Sequence, residues 1–240
     1  MLELRNVSYV VNDGETVEIL KNISFRTDDR FVAITGPNGG GKSTLAKLIA
    51  GILTPTEGQI LLDGVDITNM SITERAQNGI SYAFQQPVRF KGLTVRDLIS
   101  IAAGRKMSLS ETCHVLSEVG ICAKDYVDRE VNASLSGGEM KRIEIAMMLA
   151  RKTKLSIFDE PEAGIDLWSF TNLIQVFEKM NQEIQGTIMV ITHQERLLNV
   201  ADSIIVLADG KIDRMGPRAD ILPGLLLYDN TCSLLNEKVR

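Results

Sequence analysis

The segment Gly36-Pro37-Asn38-Gly39-Gly40-Gly41-Lys42-Ser43-Thr44 constrains this chain more than any other. It follows a short apolar run, Phe31 to Thr35, and precedes Leu45-Ala46-Lys47-Leu48-Ile49-Ala50, which reads as a helix closed by Gly51. That order of strand, glycine-rich loop and helix is the context in which G-x-x-x-x-G-K-[ST] holds phosphate. Glycines let successive backbone N–H groups converge on phosphate oxygens without Cβ clashes, and the helix N-terminus adds the positive end of its dipole. Lys42 is then expected to neutralise the β- and γ-phosphates of a nucleotide, and Ser43 to coordinate Mg2+.

A loop of this kind sits at the carboxyl edge of a parallel sheet, and the chain supplies further short apolar runs at Ile80 to Phe84, Leu155 to Phe158, Ile188 to Ile191 and Ile204 to Leu207. Unalternating runs of this length suit strands buried on both faces. Leu167, Phe170, Leu173, Ile174, Val176, Phe177 and Met180 repeat at helical spacing. Val17/Ile19 and Ile23/Phe25 alternate instead, which predicts half-exposed antiparallel strands near the N-terminus. Residues 91–150 show no convincing strand but carry helix starts at Thr94-x-x-Asp97, Ser108/Ser110 and Ser136-x-x-Glu139. The expected fold is therefore α/β: one domain with a core over about 1–90 and 151–215, an antiparallel β part, a helical subdomain inserted over about 91–150, and a C-terminal extension over 216–240.

Composition narrows the function classes. The net charge of −5 offers no electrostatic footprint for nucleic acid or an anionic membrane surface. Cys113, Cys122 and Cys232 are odd in number and lack C-x-x-C spacing, so no disulfide framework, zinc site or iron-sulfur site is encoded locally. Met1-Leu2-Glu3-Leu4-Arg5 does not read as a signal peptide, and no apolar run reaches the roughly 20 residues of a membrane helix, Ile221 to Tyr228 included. A cytoplasmic protein is expected, reaching a membrane only through a partner.

Leu155-Ser156-Ile157-Phe158-Asp159-Glu160-Pro161 ends a buried run with adjacent acids. In a doubly wound sheet they arrive at the same edge as the phosphate loop. Since consecutive side chains on a strand point opposite ways, the pair can divide its work. Asp159 is expected to hold Mg2+ through water, and Glu160 to polarise an attacking water.

With Leu135-Ser136-Gly137-Gly138-Glu139-Met140-Lys141-Arg142, the chain resembles the ATP-binding cassette (ABC) ATPases from about residue 1 to 215, because this segment is similar to that family's LSGGQ signature. Ser136 with Glu139 makes a capping box, and Gly137 and Gly138 leave backbone N–H groups open to an anion. The resemblance implies the remaining roles. Tyr9 looks like the aromatic that stacks on adenine, Gln85 like the glutamine that senses Mg2+ and the γ-phosphate, with Gln86 beside it as a competitor. Asp166 stands where the family's D-loop aspartate crosses a dimer interface, and His193 looks like the switch histidine on the γ-phosphate. His114 reads as an ordinary helix-face residue, and Trp168, near Asp166, as a packing residue. The resemblance also implies a head-to-tail homodimer in which each ATP lies between one copy's Lys42 loop and the other's Ser136 loop.

Within the family, Ala83-Phe84-Gln85-Gln86-Pro87-Val88, Val131-Asn132 and Gly138-Glu139-Met140-Lys141-Arg142 with Glu144-Ile145 resemble the SufC-type ATPases of iron-sulfur cluster assembly. That resemblance implies a soluble SufB/SufD-like scaffold as partner. Leu135 and Gly92-Leu93-Thr94-Val95-Arg96 depart from it toward transporter cassettes. The alternatives are the nucleotide-binding subunit of a membrane permease and an ATP-gated structural dimerisation module.

Overall fold

The computed structural model describes residues 1–85, 90–132, 135–151, 153–183 and 186–226. In chain order its elements are β1 (Leu2–Asp13), β2 (Glu15–Thr27), β3 (Phe31–Thr35), α1 (Lys42–Ala50), β4 (Glu57–Leu62), β5 (Val65–Asp66), α2 (Ile72–Gln77), β6 (Ile80–Ala83), α3 (Val95–Ala103), α4 (Leu109–Glu118), α5 (Ala123–Tyr126), α6 (Gly137–Arg151), β7 (Leu155–Asp159), α7 (Leu167–Glu183), β8 (Thr187–Ile191), α8 (Glu195–Leu198), β9 (Ser203–Ala208) and β10 (Lys211–Pro217). Residues 218–226 are helical.

The unalternating apolar runs become the parallel strands of a six-stranded sheet, ordered β10-β9-β3-β8-β7-β6 with only β10 antiparallel. Every residue of β3 and of β7 is buried, because both faces of this sheet are covered. Phe31 and Ala33 point into a core shared with Leu98, Leu116, Ile143, Leu173 and Phe177 of the helices. Val32 and Ile34 point the other way, onto Leu45, Leu48 and Ile49 of α1 and onto Leu2, Leu4 and Ile60 of a second, antiparallel sheet ordered β2-β1-β4-β5. Phe177 meets Phe31 and Phe158 edge-on at 5.9 and 4.9 Å between ring centroids, which docks α7 on β3 and β7. The topology is the α/β architecture expected of an ABC-type cassette.

Local chemistry explains where helices begin. Thr94 with Asp97, Ser108 with Glu111 and Ser71 with Glu74 form complete capping boxes at α3, α4 and α2. The stretch 91–150 holds α3 to α6, with one isolated bridge between Thr94 and Glu130.

The N-terminal alternation is less regular than its pattern suggests. Leu20 and Ile23 are both buried although they are three apart, because the ladder to β1 slips and Asn22 takes a positive φ of 55°. Val17 is 49% exposed and lies outside the core. The sequence reading also passed over the β4–β5 and β9–β10 hairpins. Asp63-Gly64 (φ 52° and 79°) and Asp209-Gly210 (φ 50° and 76°) are Asp-Gly turns with both residues left-handed, the strongest short hairpin signal. The tail read as starting at 216 begins inside β10. Cys113 is half-buried and Cys122 exposed, both as free thiols, while Cys232 and Tyr228 lie outside the described residues. Among the described residues no helix is long and apolar enough to cross a membrane.

Candidate nucleotide site

Because β3, β6, β7 and β8 run parallel, the segments that follow them emerge at one edge of the sheet. After β3 the phosphate loop turns against two strands. At Gly36 (φ 131°) a Cβ would lie 2.0 Å from the Leu207 carbonyl oxygen of β9, and at Gly41 (φ 96°) 2.6 Å from the Leu20 side chain of β2. No other residue permits this approach. Gly40 is buried in the same cradle, whereas Pro37, Asn38 and Gly39 form its exposed rim. Lys42 folds back, its Nζ donating to the carbonyls of Gly36 and Pro37 at 2.8 and 2.9 Å. Burial lowers its pKa, and Glu160 and Asp159 pull the other way. Unlike α2, α3 and α4, α1 begins with no side-chain cap and no acid in its first turn, which leaves its positive end for an anion. Ser43 and Thr44 occupy that first turn, both half-buried.

After β7, Asp159 is 3% exposed and both of its oxygens are used. Ser43 Oγ donates to Oδ1 at 2.9 Å, and Tyr82 Oη donates to Oδ2 at 2.7 Å from the neighbouring strand β6. Burial and this hydrogen bond push the Tyr82 phenol far above its ordinary range, so it stays a donor. Glu160 does not follow by simple strand alternation. Its φ of 46° is left-handed, so the chain leaves β7 in a turn, with Glu160 N–H donating to the Ile191 carbonyl at 3.0 Å. That turn carries its carboxylate toward the ends of β6 and β8. Gln85 Nε2 donates to Glu160 Oε2 at 2.7 Å, and His193 Nε2 stands 4.0 Å from Oε1.

Two residues further, Glu162 accepts from the Thr192 hydroxyl at 2.5 Å, and Thr192 Oγ1 accepts from Gln194 N–H at 3.0 Å. The turn after β7 is thereby tied to the one after β8. Burial raises the pKa of Glu162, partly offset by the Thr192 hydrogen bond, and its second oxygen has no hydrogen-bond partner among the described residues.

Tyr9 is half-buried on β1, in register opposite Leu20, the residue against which Gly41 closes. Ser136 and Gly137 are exposed and Gly138 is buried. Ser136 N–H donates to Glu139 Oε2 at 2.7 Å and Ser136 Oγ accepts from Glu139 N–H at 3.2 Å, while Tyr126 Oη also donates to Glu139. A Cβ on Gly138 would meet Ser169 Oγ at 3.1 Å, and one on Gly137 the Gly164 carbonyl at 3.3 Å. Asp166 accepts from Ser169 N–H at 3.0 Å, starting α7 beside the signature glycines. Gln86 and the side chain of Trp168 lie outside the described residues. Lys42, Ser43, Gln85, Asp159, Glu160 and His193 thus share one edge, while Ser136 to Gly138 form the start of α6.

Tyr82, Glu162 and Glu144 escaped the sequence reading as parts of this neighbourhood. A tyrosine in a buried run three residues before Gln85 was a usable signal, since a buried hydroxyl requires a partner.

A family model described as ABC transporter matches residues 20–163. An uncharacterized ABC transporter ATP-binding protein of Methanocaldococcus jannaschii is 37% identical, over 92% of this chain and 91% of its own. The energy-coupling factor transporter ATP-binding protein EcfA1 of Streptococcus thermophilus is 32% identical, over 95% and 84%. A dimeric ATP-binding cassette in a post-hydrolysis state bound to ADP and Pi superposes with a TM-score of 0.81 at 27% identity, covering 91% of this chain and 99% of that one.

Proposed function

The chain belongs to the ABC transporter family of ATPases, and from that premise we propose that it is the nucleotide-binding subunit of a membrane transporter, on the cytoplasmic side and working as a head-to-tail homodimer. The observation that carries the reading is the Gln85–Glu160–His193 cluster beside the Lys42 loop. The transporter assignment is supported by relatives whose names describe transporter ATP-binding proteins.

ATP enters as substrate. Its phosphates fit the loop of Gly36 to Thr44, where Lys42 exchanges its two carbonyl partners for phosphate oxygens and the uncapped end of α1 adds its dipole. Tyr9 stacks on the adenine. Ser43, Gln85 and Asp159 offer oxygen donors only, the set that a hard Mg2+ ion takes. Bound there, the ion would neutralise phosphate charge. Glu160 orients and polarises the attacking water, held in place by Gln85, and His193 meets the γ-phosphate. The partner's Ser136, with Gly137 and Gly138 of the partner subunit, closes the site from the other side, and Asp166 lies at the interface. ATP then joins the two copies and hydrolysis releases them.

The second reading, a SufC-type role with a SufB/SufD-like scaffold, rests on the segments around Gln85 and Glu139. Two residues that suggested it have work inside the chain: Glu139 caps α6, and Lys141 holds the Phe84 carbonyl. They therefore say less about the partner, and the transporter reading takes precedence. A purely structural dimerisation module is disfavoured by the placement of Glu160 between Gln85 and His193.

Glu160→Gln tests the mechanism: turnover should fall about a thousandfold, while Mg-ATP still drives dimers visible by light scattering. A variant that hydrolyses at the wild-type rate, or stays monomeric at saturating Mg-ATP, overturns it. Purification from the native membrane in detergent tests the role. A membrane-embedded partner supports the transporter, and a partner recovered without detergent supports the scaffold reading.

A further inference from the structure

Gln85 lies two residues past the end of β6, and the residue between, Phe84, is gripped from α6. Lys141, 2% exposed, donates through Nζ to the Phe84 carbonyl. Glu144 Oε1 accepts from Phe84 N–H at 3.2 Å, and Lys141 and Glu144 lie 3.5 Å apart one helical turn from each other. Both backbone groups of one residue are thus held by an ion pair of a buried lysine and a half-buried glutamate. Phe84 lies beyond the end of β6, where the sheet ladder no longer pairs it. Its ring meets Tyr82 edge-on at 4.9 Å between centroids, while the residue as a whole stays 40% exposed. Burial lowers the Lys141 pKa and raises that of Glu144, and each group partly offsets the shift of the other.

We propose that Lys141 and Glu144 are positioning residues for the ATPase reaction, fixing Phe84 so that Gln85 meets Glu160 and tying Gln85 to the helix that begins with Ser136-Gly137-Gly138. This rests on the reading of Gln85 and Glu160 given above. The consequence is mechanical. α6 presents its N-terminus to the nucleotide held by the other copy, and about a turn further along it grips the segment leading to the glutamine of its own site. A shift of α6 on dimer closure is handed to Gln85 through these two side chains.

Two variants at one position separate positioning from bulk packing. Lys141→Met keeps the length and removes the donor; Lys141→Gln keeps a donor without the charge. In the full chain, Lys141→Met should lower kcat about tenfold with the KM for ATP changed less than about twofold, and Lys141→Gln should recover to within about threefold of wild type. Amide hydrogen exchange reads the grip without turnover: Glu144→Ala should speed exchange at the Phe84 amide about tenfold while the amides of β6 stay protected. Equal kcat in wild type and Lys141→Met, an equal fall in both Lys141 variants, or an unchanged Phe84 amide in Glu144→Ala overturns the proposal. A wild-type chain that hydrolyses no ATP instead overturns the ATPase reading and leaves the exchange result to decide the grip.

Discussion

Gly41 and Ser136 each start a helix at a glycine-rich turn, yet the chain treats the two starts oppositely. At α1 the cap is a left-handed glycine with no side-chain hydrogen bond, and the loop before it is braced by the backbone of Leu207 and the side chain of Leu20. At α6 the capping box of Ser136 and Glu139 closes the start, Tyr126 adds a further hydrogen bond, and Ser136 and Gly137 stay exposed. The first start leaves its backbone N–H groups without a side-chain cap, as an anion site requires. The second is a helix end already capped by its own side chains, with Ser136 and Gly137 facing outward. Under the proposed function, the first supplies affinity within the chain and the second completes the site of another copy.

Lys42 is where the difference between the two starts has its largest effect. Lys42→Met removes the cation while leaving an apolar stem in a buried position, so the fold should survive. Loss of charge-assisted hydrogen bonds to phosphate should weaken ATP binding about a hundredfold and bring turnover to background. Titration with a fluorescent ATP analogue, read beside a phosphate-release assay, checks both. Binding within threefold of wild type would mean that the loop amides alone hold the nucleotide.

Ser136→Arg should do the reverse. An exposed arginine leaves α1 and its loop untouched, so each isolated chain should bind ATP within about twofold of wild type. ATP-driven dimerisation should be lost, with turnover falling about a hundredfold. Sedimentation in the Glu160→Gln background reads the dimer. If Ser136→Arg weakens binding to the monomer, the two starts are not independent and the comparison fails.

How far each region was legible in the sequence follows from how local its physics is. The loop and its flanking strand and helix could be read because glycine spacing, a lysine and a hydroxyl lie side by side, and the capping box at Ser136 for the same reason. The parallel sheet, though not its strand order, was legible because runs such as Phe31 to Thr35 and Leu155 to Phe158 suit strands covered on both faces. What escaped depended on long-range pairing. Nothing near Tyr82 announces that it reaches Asp159, 77 residues away, and nothing near Lys141 announces Phe84. Glu160 was assigned for sound reasons of placement, but its direction comes from a left-handed turn that strand alternation does not foresee.

Tyr82 sharpens the first region. Its hydroxyl occupies one Asp159 oxygen while Ser43 takes the other, so the carboxylate is oriented from two sides. Tyr82→Phe removes one donor without changing shape. The Mg2+ concentration for half-maximal turnover should rise about threefold to fivefold, with little change at saturating Mg2+. A magnesium titration of the rate decides it, and an unchanged midpoint assigns Tyr82 to packing alone.

The smallest effect concerns the turn that joins the two regions, running from Glu160 past Gly164, which faces Gly137, to Asp166 at the start of α7. Glu162 anchors that turn to Thr192. Because burial raises its pKa above the ordinary 4.5, the folded chain holds this proton more tightly than the unfolded chain. Unfolding then takes up fewer protons than it releases, and the group's contribution to stability falls as pH climbs from the unfolded value through the folded one. Glu162→Gln mimics the protonated form and still accepts from Thr192. It should therefore melt at a higher temperature than the parent at pH 8, with the difference shrinking as pH falls toward 4.5. Thermal melts across that range read the slope directly. A gap that is constant with pH would assign the gain to packing, and a variant less stable at pH 8 would mean that Thr192 requires the charged acceptor to hold the turn between the two helix starts.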